Sequence, residues 1–177
     1  MTTKLIRFLL VALVIFVGAY GVTAQNCIRH VEVQGGFSVC IPDSWTVQEA
    51  QNEKYKQLFG QATDGFTPNI NFRDETTTTP LSSYVAAGIR NILASTEKLG
   101  ATSIEPLGQS DFTTDSGLRG IRAVFQTMFK GVLVRTIQYY FDAGNGRKLI
   151  ITSTSLDKNK EVFDRVFDRN AKSFRIN

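Results

Sequence analysis

Apolar and polar positions alternate along residues 27–75, take up helical spacing over 81–96, and return to β-branched and aromatic runs from 121 onward. In CIRHVEVQGGFSVCIP (27–42), Val31 and Val33 alternate with polar neighbours before Gly35-Gly36, and Phe37, Val39 and Ile41 do so after it. Glycines accept the positive φ of tight hairpins, so this stretch is predicted to be two strands joined by a turn. Pro42 has no N–H and ends the second strand, Asp43-Ser44 favour a turn, and Trp45 leads back toward the core. TVQEAQ (46–51), YKQLFGQAT (55–63) and PNINFRDE (68–75) read as further short strands. In the last of these, Ile70 and Phe72 alternate with Asn69, Asn71 and Arg73, which implies one buried and one wet face.

After the threonine run at 76–79, Thr79-Pro80 is a helix start, a hydroxyl N-cap with proline at the first helical position. Leu81, Val85, Gly88, Ile92 and Thr96, flanked by Tyr84, Ile89 and Leu93, make the apolar stripe, and Gly100 is the expected stop. The spacing predicts that Val85, Ile89 and Ile92 or Leu93 dock on a sheet. IRAVFQTMFK (121–130), VLVRTIQYYF (132–141) and LIITSTS (149–155) are joined too briefly for parallel crossovers and form an antiparallel meander. Asp157 caps a final helix with Val162, Phe163, Val166 and Phe167 on one face. Its Glu161–Arg165 and Asp168–Lys172 pairs are expected on the solvent side.

The N-terminus changes the compartment. Lys4 and Arg7 precede an almost unbroken apolar run from Phe8 to Tyr20, and Val22-Thr23-Ala24 supplies small residues before a polar stretch. That is the layout of a secretory signal peptide over residues 1–24, cleaved after Ala24. The competing reading is a retained anchor, since the 17 uncharged residues Phe8 to Ala24 reach the lower limit of a membrane span. Removing 24 of 177 residues leaves 153, which suits a single domain over 25–177. It also leaves 18 basic residues against 16 acidic ones, a net charge of only +2. Nucleic acid asks for a far stronger basic face and is not expected as a partner.

Phe37, Ile41, Pro42 and Trp45, then Gly120, Tyr140, Gly146 and Thr152, stand in an order that resembles the PsbP-like superfamily. That group includes the PsbP proteins of photosystem II, DcrB-like envelope proteins and a yeast factor that binds Ran. The resemblance covers nearly the whole mature chain. It implies an α+β fold, an α-β-α sandwich with a central antiparallel sheet of about six strands. Phe37, Val39 and Ile41 would then face inward, with Trp45 a large apolar plug. It further implies a non-enzymatic accessory or binding role, with the signal peptide pointing to the envelope group. The expected partner is a protein or envelope component, with no cofactor and no metal. A small extracytoplasmic hydrolase, with a carboxylate site at the sheet end, is the alternative.

Candidate chemistry is sparse. The one histidine, His30, falls on the polar phase of its strand without a visible nucleophile or acid partner. Asp74-Glu75 point to opposite strand faces, and Asp111 and Asp115 lack calcium-loop spacing. GNGRK (144–148) precedes a strand rather than a helix, so it reads as a hairpin turn and not a phosphate loop. Tyr140, with Arg135 and Arg122, is the first expectation for partner contacts. Cys27 and Cys40 are the only cysteines, and export predicts that they pair. Simple register leaves them offset by about three residues, a gap for a bulge or a flexible N-terminus to close. The alternative is lipidation of Cys27, against which stands the Ala24-Gln25-Asn26 before it, where that motif wants a small residue.

Overall fold

The computed structural model describes residues 27–177, so the leader expected at 1–24 lies outside the described residues. The chain runs β1 (Cys27–Glu32), β2 (Phe37–Pro42), β3 (Thr46–Gln48), β4 (Gln57–Phe59), β5 (Asn69–Thr76), α1 (Leu81–Ala94) and β6 (Ala101–Thr113). It continues through β7 (Arg119–Phe129), β8 (Val132–Asp142), β9 (Arg147–Leu156), a 3-10 turn (Asp157–Asn159), α2 (Lys160–Lys172) and β10 (Arg175–Ile176). Seven strands form one antiparallel sheet in the order β3-β4-β5-β9-β8-β7-β6, and β1-β2-β10 form a second, smaller one. Among the described residues no helix is long and apolar enough to cross a membrane.

Alternation along the central strands builds two cores, one on each face of the large sheet. Ile70, Phe72, Ile137, Tyr139, Phe141, Leu149 and Ile151 face the small sheet and α2, where Phe37, Val39, Ile41, Trp45, Phe167 and Phe174 meet them. On the opposite face, Ala123, Phe125, Tyr140 and Ile150 receive Val85 of α1. The fold is therefore the expected α-β-α sandwich. Its main sheet has seven strands because β6 joins the six runs read from the pattern.

β6 leaves little trace in the apolar pattern. It is an edge strand, polar over most of its length, that carries Pro106 and Gly108 and shifts register between Pro106 and Gly108. Proline is tolerated at an edge, where one row of backbone groups needs no partner.

Local signals also yielded to tertiary contacts at the helix ends. Pro80 itself occupies the N-cap of α1, no side-chain cap bond forms, and the helix stops at Ala94, before Gly100. Thr79 Oγ1 instead accepts from Thr77 Oγ1 at 2.9 Å. Of the predicted docking residues Val85 is fully buried, while Ile89 and Ile92 pack against the same cluster only partly buried. Asp157 does not cap α2, whose N-cap is Asn159. Val162 is 57% exposed, off the expected apolar face. Asp168 turns toward the sheet, and Arg165 Nε donates to the Glu161 carbonyl, not its carboxylate.

The hairpin forms in the register Cys27↔Pro42 to Glu32↔Phe37. Val31 and Val33 are 51% and 86% exposed, whereas Glu32 is buried. The polar phase of β1 turns inward because Glu32 accepts the Lys56 backbone N–H and lies 3.8 Å from His30. Cys27 and Cys40 are bonded, with Cα atoms 5.4 Å apart. Cys40 stands opposite Arg29, so the offset is two residues, not three. Both cysteines then share one face, and the bond closes diagonally without a bulge. Replacing both with alanine should cost at most about 3 kcal/mol, from the chain entropy of the loop they close. An unchanged denaturation midpoint in the double variant would show that the bond contributes nothing to stability.

Candidate functional site

Helix α1 packs over β6, β7 and β8, and the β5–β9 part of that sheet face stays open beside it. The result is a groove of about 790 Å3 between α1, the sheet and the loop at Asn52–Lys54. A volume of this size lies within the range of small-molecule sites.

Strand register writes the groove floor as rows across β5, β9 and β8. The first row is Asn71, Thr152 and Gln138, paired in the order Asn71↔Thr152 and Thr152↔Gln138. The next is Arg73, Ile150 and Tyr140, and the groove ends at Glu75, whose row continues outside it through Lys148 and Asp142. Tyr140 Oη donates to Gln138 Oε1, and Gln138 Nε2 donates to Thr152 Oγ1 at 3.3 Å. Tyr84 of α1 meets the Tyr140 ring edge-to-face at 6.2 Å and forms the wall.

Charges at the groove are matched internally. Arg73 lies 3.2 Å from Glu75 and Lys54 2.8 Å from Asp74, and just outside the lining Lys148 lies 2.8 Å from Asp142. Arg147 holds Asp74 from behind at 2.8 Å while donating to the Gly35 carbonyl and Tyr55 Oη, which ties the hairpin to the main sheet. Burial, helped by the Glu75 carboxylate, pushes the Tyr140 phenol up to about 12. The same two causes push Tyr84 well above the ordinary phenol value. Both rings therefore stay neutral hydrogen-bond donors at physiological pH.

Burial alone would raise the Asp74 carboxyl, but hydrogen bonds from Lys54 and Arg147 outweigh it and hold the group below its ordinary 3.8. A depressed folded-state value stabilises the protein fully above the unfolded value and loses that contribution as pH falls through the folded one. Asp74→Asn should therefore lower stability near neutral pH and flatten the loss of stability as pH falls below the ordinary carboxyl value. Parallel acid limbs for variant and wild type in urea titrations would show that this pairing adds nothing.

Of the three expected contact residues, only Tyr140 lines the groove. Arg122 and Arg135 lie on the other sheet face, beneath α2. Arg135 grips Asp164 with two bonds of 2.8 Å and lies 3.7 Å from Asp157. Arg122 Nε donates to Asp168 Oδ1 at 2.8 Å, and Tyr139 Oη donates to the same oxygen at 2.5 Å. These ion pairs fasten α2 to the sheet, so the three residues do not make one surface. Asn71, Thr152 and Gln138 are not expected as contact residues from the pattern, and Tyr84 reads there only as part of the apolar helix stripe. For the three strand residues the available signal is their polarity on the wet phase of otherwise apolar strands.

Other candidates are dispersed. His30 is half-buried, and burial lowers its pKa. Asp111 and Asp115 are exposed near the β6–β7 turn. Gly144, Asn145 and Gly146 all take positive φ in the β8–β9 hairpin turn. Among the described residues, no group of three or more His, Cys, Asp or Glu is placed to hold a metal ion.

No family model and no curated protein matches the chain. Solved structures do. The chain is similar to cyanobacterial PsbP (CyanoP) from Synechocystis sp. PCC 6803, with a TM-score of 0.67 at 12% identity, over 89% of this chain and 96% of that one. It is similar to LpqN of Mycobacterium tuberculosis, described as involved in cell envelope biogenesis, with a TM-score of 0.58 at 14% identity, over 84% and 89%. A third likeness is to the Ran-binding protein Mog1p of Saccharomyces cerevisiae, with a TM-score of 0.58 at 10% identity, over 86% and 96%. These likenesses define a class, an α+β sandwich of antiparallel sheet and flanking helices. The fold is the PsbP-like one.

Proposed function

We propose that residues 25–177 are an exported, non-enzymatic accessory domain of the cell envelope that binds a protein or envelope component through the groove beside α1. The observation that carries this reading is the matched charge of the groove. Asp74 and Glu75, the carboxylates a hydrolase would use there, are each held by a cation at 2.8 and 3.2 Å. Groups so engaged are suited to fixing a surface rather than to moving protons. Export is supported by the Cys27–Cys40 bond, since disulfides persist in oxidising compartments. That bond also consumes the thiol that lipidation of Cys27 would need. The envelope role of LpqN, which shares the fold, agrees with the same placement. Within this reading Tyr140 contacts the partner, and Arg122 and Arg135 serve to hold α2.

A photo-crosslinking residue at Ala87, which lines the groove, tests the site against one at Lys160 on the opposite face. Adducts formed in intact envelopes from position 87 and not from 160 are expected; adducts from 160 alone overturn the assignment. Intact-mass analysis tests the compartment. A chain beginning at Gln25 and two hydrogens lighter than its reduced form is expected, whereas a diacylated chain beginning at Cys27 excludes both the cleavage site and the bond.

A further inference from the structure

We infer that the groove binds a neutral saccharide, its hydroxyls held by the Asn71–Thr152–Gln138 row and a sugar face held against Tyr84. This rests on the groove being the binding site and adds the chemical class of what it holds.

Ion pairing removes the charged alternatives. Arg73 and Lys54 each face a carboxylate at 3.2 and 2.8 Å, so neither is free to hold a phosphate or carboxylate ligand. Glu53, exposed at the rim, disfavours anions further. A lipid chain would have to cover a floor of amides and hydroxyls without satisfying them, which costs free energy for every group desolvated.

What remains is a row of groups that donate and accept at once. Asn71 is half-buried, and its amide has no hydrogen-bond partner among the described residues. Thr152 accepts from Gln138 and keeps its own hydroxyl proton to give, while Gln138 keeps a second amide proton. The three side chains stand on adjacent strands, so they repeat at about 4.8 Å across the floor. Sugar hydroxyls, which also both donate and accept, match such a row at several points. A peptide would present alternating side chains that need apolar pockets, and the row offers none. Tyr84 supplies an aromatic surface beside it, kept neutral and set edge-to-face on the nearly buried Tyr140. A ring of this kind suits the apolar C–H face of a pyranose, while its hydroxyl is turned to Glu75.

Free sugar and envelope glycan share this chemistry, and two arms separate them. In the first, maltotriose, cellotriose and tri-N-acetylchitotriose are titrated into the protein while backbone amide NMR shifts are followed. Saturable shifts clustered at residues 71, 84, 138 and 152 are expected at about millimolar concentration with at least one probe. In the second arm the protein is sedimented with purified peptidoglycan sacculi. Asn71→Ala and Thr152→Val should each weaken whichever binding is seen by about tenfold, the effect of a lost hydrogen bond, with the thermal midpoint little changed. Binding to sacculi alone assigns the ligand to the cell wall; binding to a free probe assigns a soluble sugar. Absence of both, shifts confined to the α2 face, or full binding by both variants overturns the inference. If crosslinks from position 87 persist in that case, the groove remains a partner site and only its sugar chemistry is wrong.

Discussion

Phe37→Ala should lower the unfolding free energy by about 3–5 kcal/mol, the cost of emptying a fully enclosed aromatic site. Phe37 has no solvent exposure, and its ring lies 5.3 Å from Tyr55, 4.9 Å from Phe72 and 5.4 Å from Phe174. Those three partners belong to the β3–β4 loop, the central sheet and the C-terminal segment. One side chain therefore joins the small sheet to the large one and to the end of the chain. A domain of this size has a total stability of roughly 5–15 kcal/mol, so the loss is a large fraction of the whole. Urea melts should show a lowered midpoint with an unchanged slope, with exposed Ile28→Ala as the neutral control. A Phe37→Ala midpoint within error of the control would mean that the two sheets are not joined through this ring.

Val85→Asp should have the second large effect, and a localised one. Val85 is fully enclosed by Ala123, Phe125, Tyr140 and Ile150, and it is the only fully buried residue of α1. The helix has no side-chain cap, no acid in its first turn and no base in its last, so docking holds it in place. A carboxylate at this position must be desolvated without a partner or leave the core, at a cost of about 3 kcal/mol or more. The second exit is expected. The core beneath α2 shares no buried residue with this cluster, so α1 should open while β8 and β9 stay folded. Hydrogen exchange would then show α1 amides near the unprotected limit and β9 amides still protected. The groove would lose its Tyr84 wall at the same time. Protected α1 amides in the variant would show that this helix is not held through Val85.

The period of the apolar positions was enough to find most elements. Phe37, Val39 and Ile41 alternate inward as the pattern requires, and Val85 lies at the centre of the helical stripe. The pattern failed where a strand had no buried face to record. β6 is exposed over most of its length, and its register shift at Pro106 breaks what alternation exists. On β1 the pattern was present and pointed the wrong way, because Lys56 and His30 give Glu32 partners inside while Val31 and Val33 remain outside. Arg122 and Arg135 show the same limit for charge. Their carboxylates come from α2, which follows the meander, whereas local spacing offered Asp168 only Lys172.

The sequence by itself determined the α+β class, the hairpin, the pairing of Cys27 with Cys40, the helical stripe and the meander. Each depends on residues close in the chain, where backbone geometry fixes which side chains share a face. Only the tertiary structure decided that Asn71, Thr152 and Gln138 form one row, that Tyr140 belongs to the groove, and that the two arginines do not. Those facts depend on β5 pairing with β9 across the whole length of α1 and the meander. That register is set by the burial of Ile70, Phe72, Ile137 and Ile151 on the opposite face of the same strands. Packing the apolar face fixed the polar one.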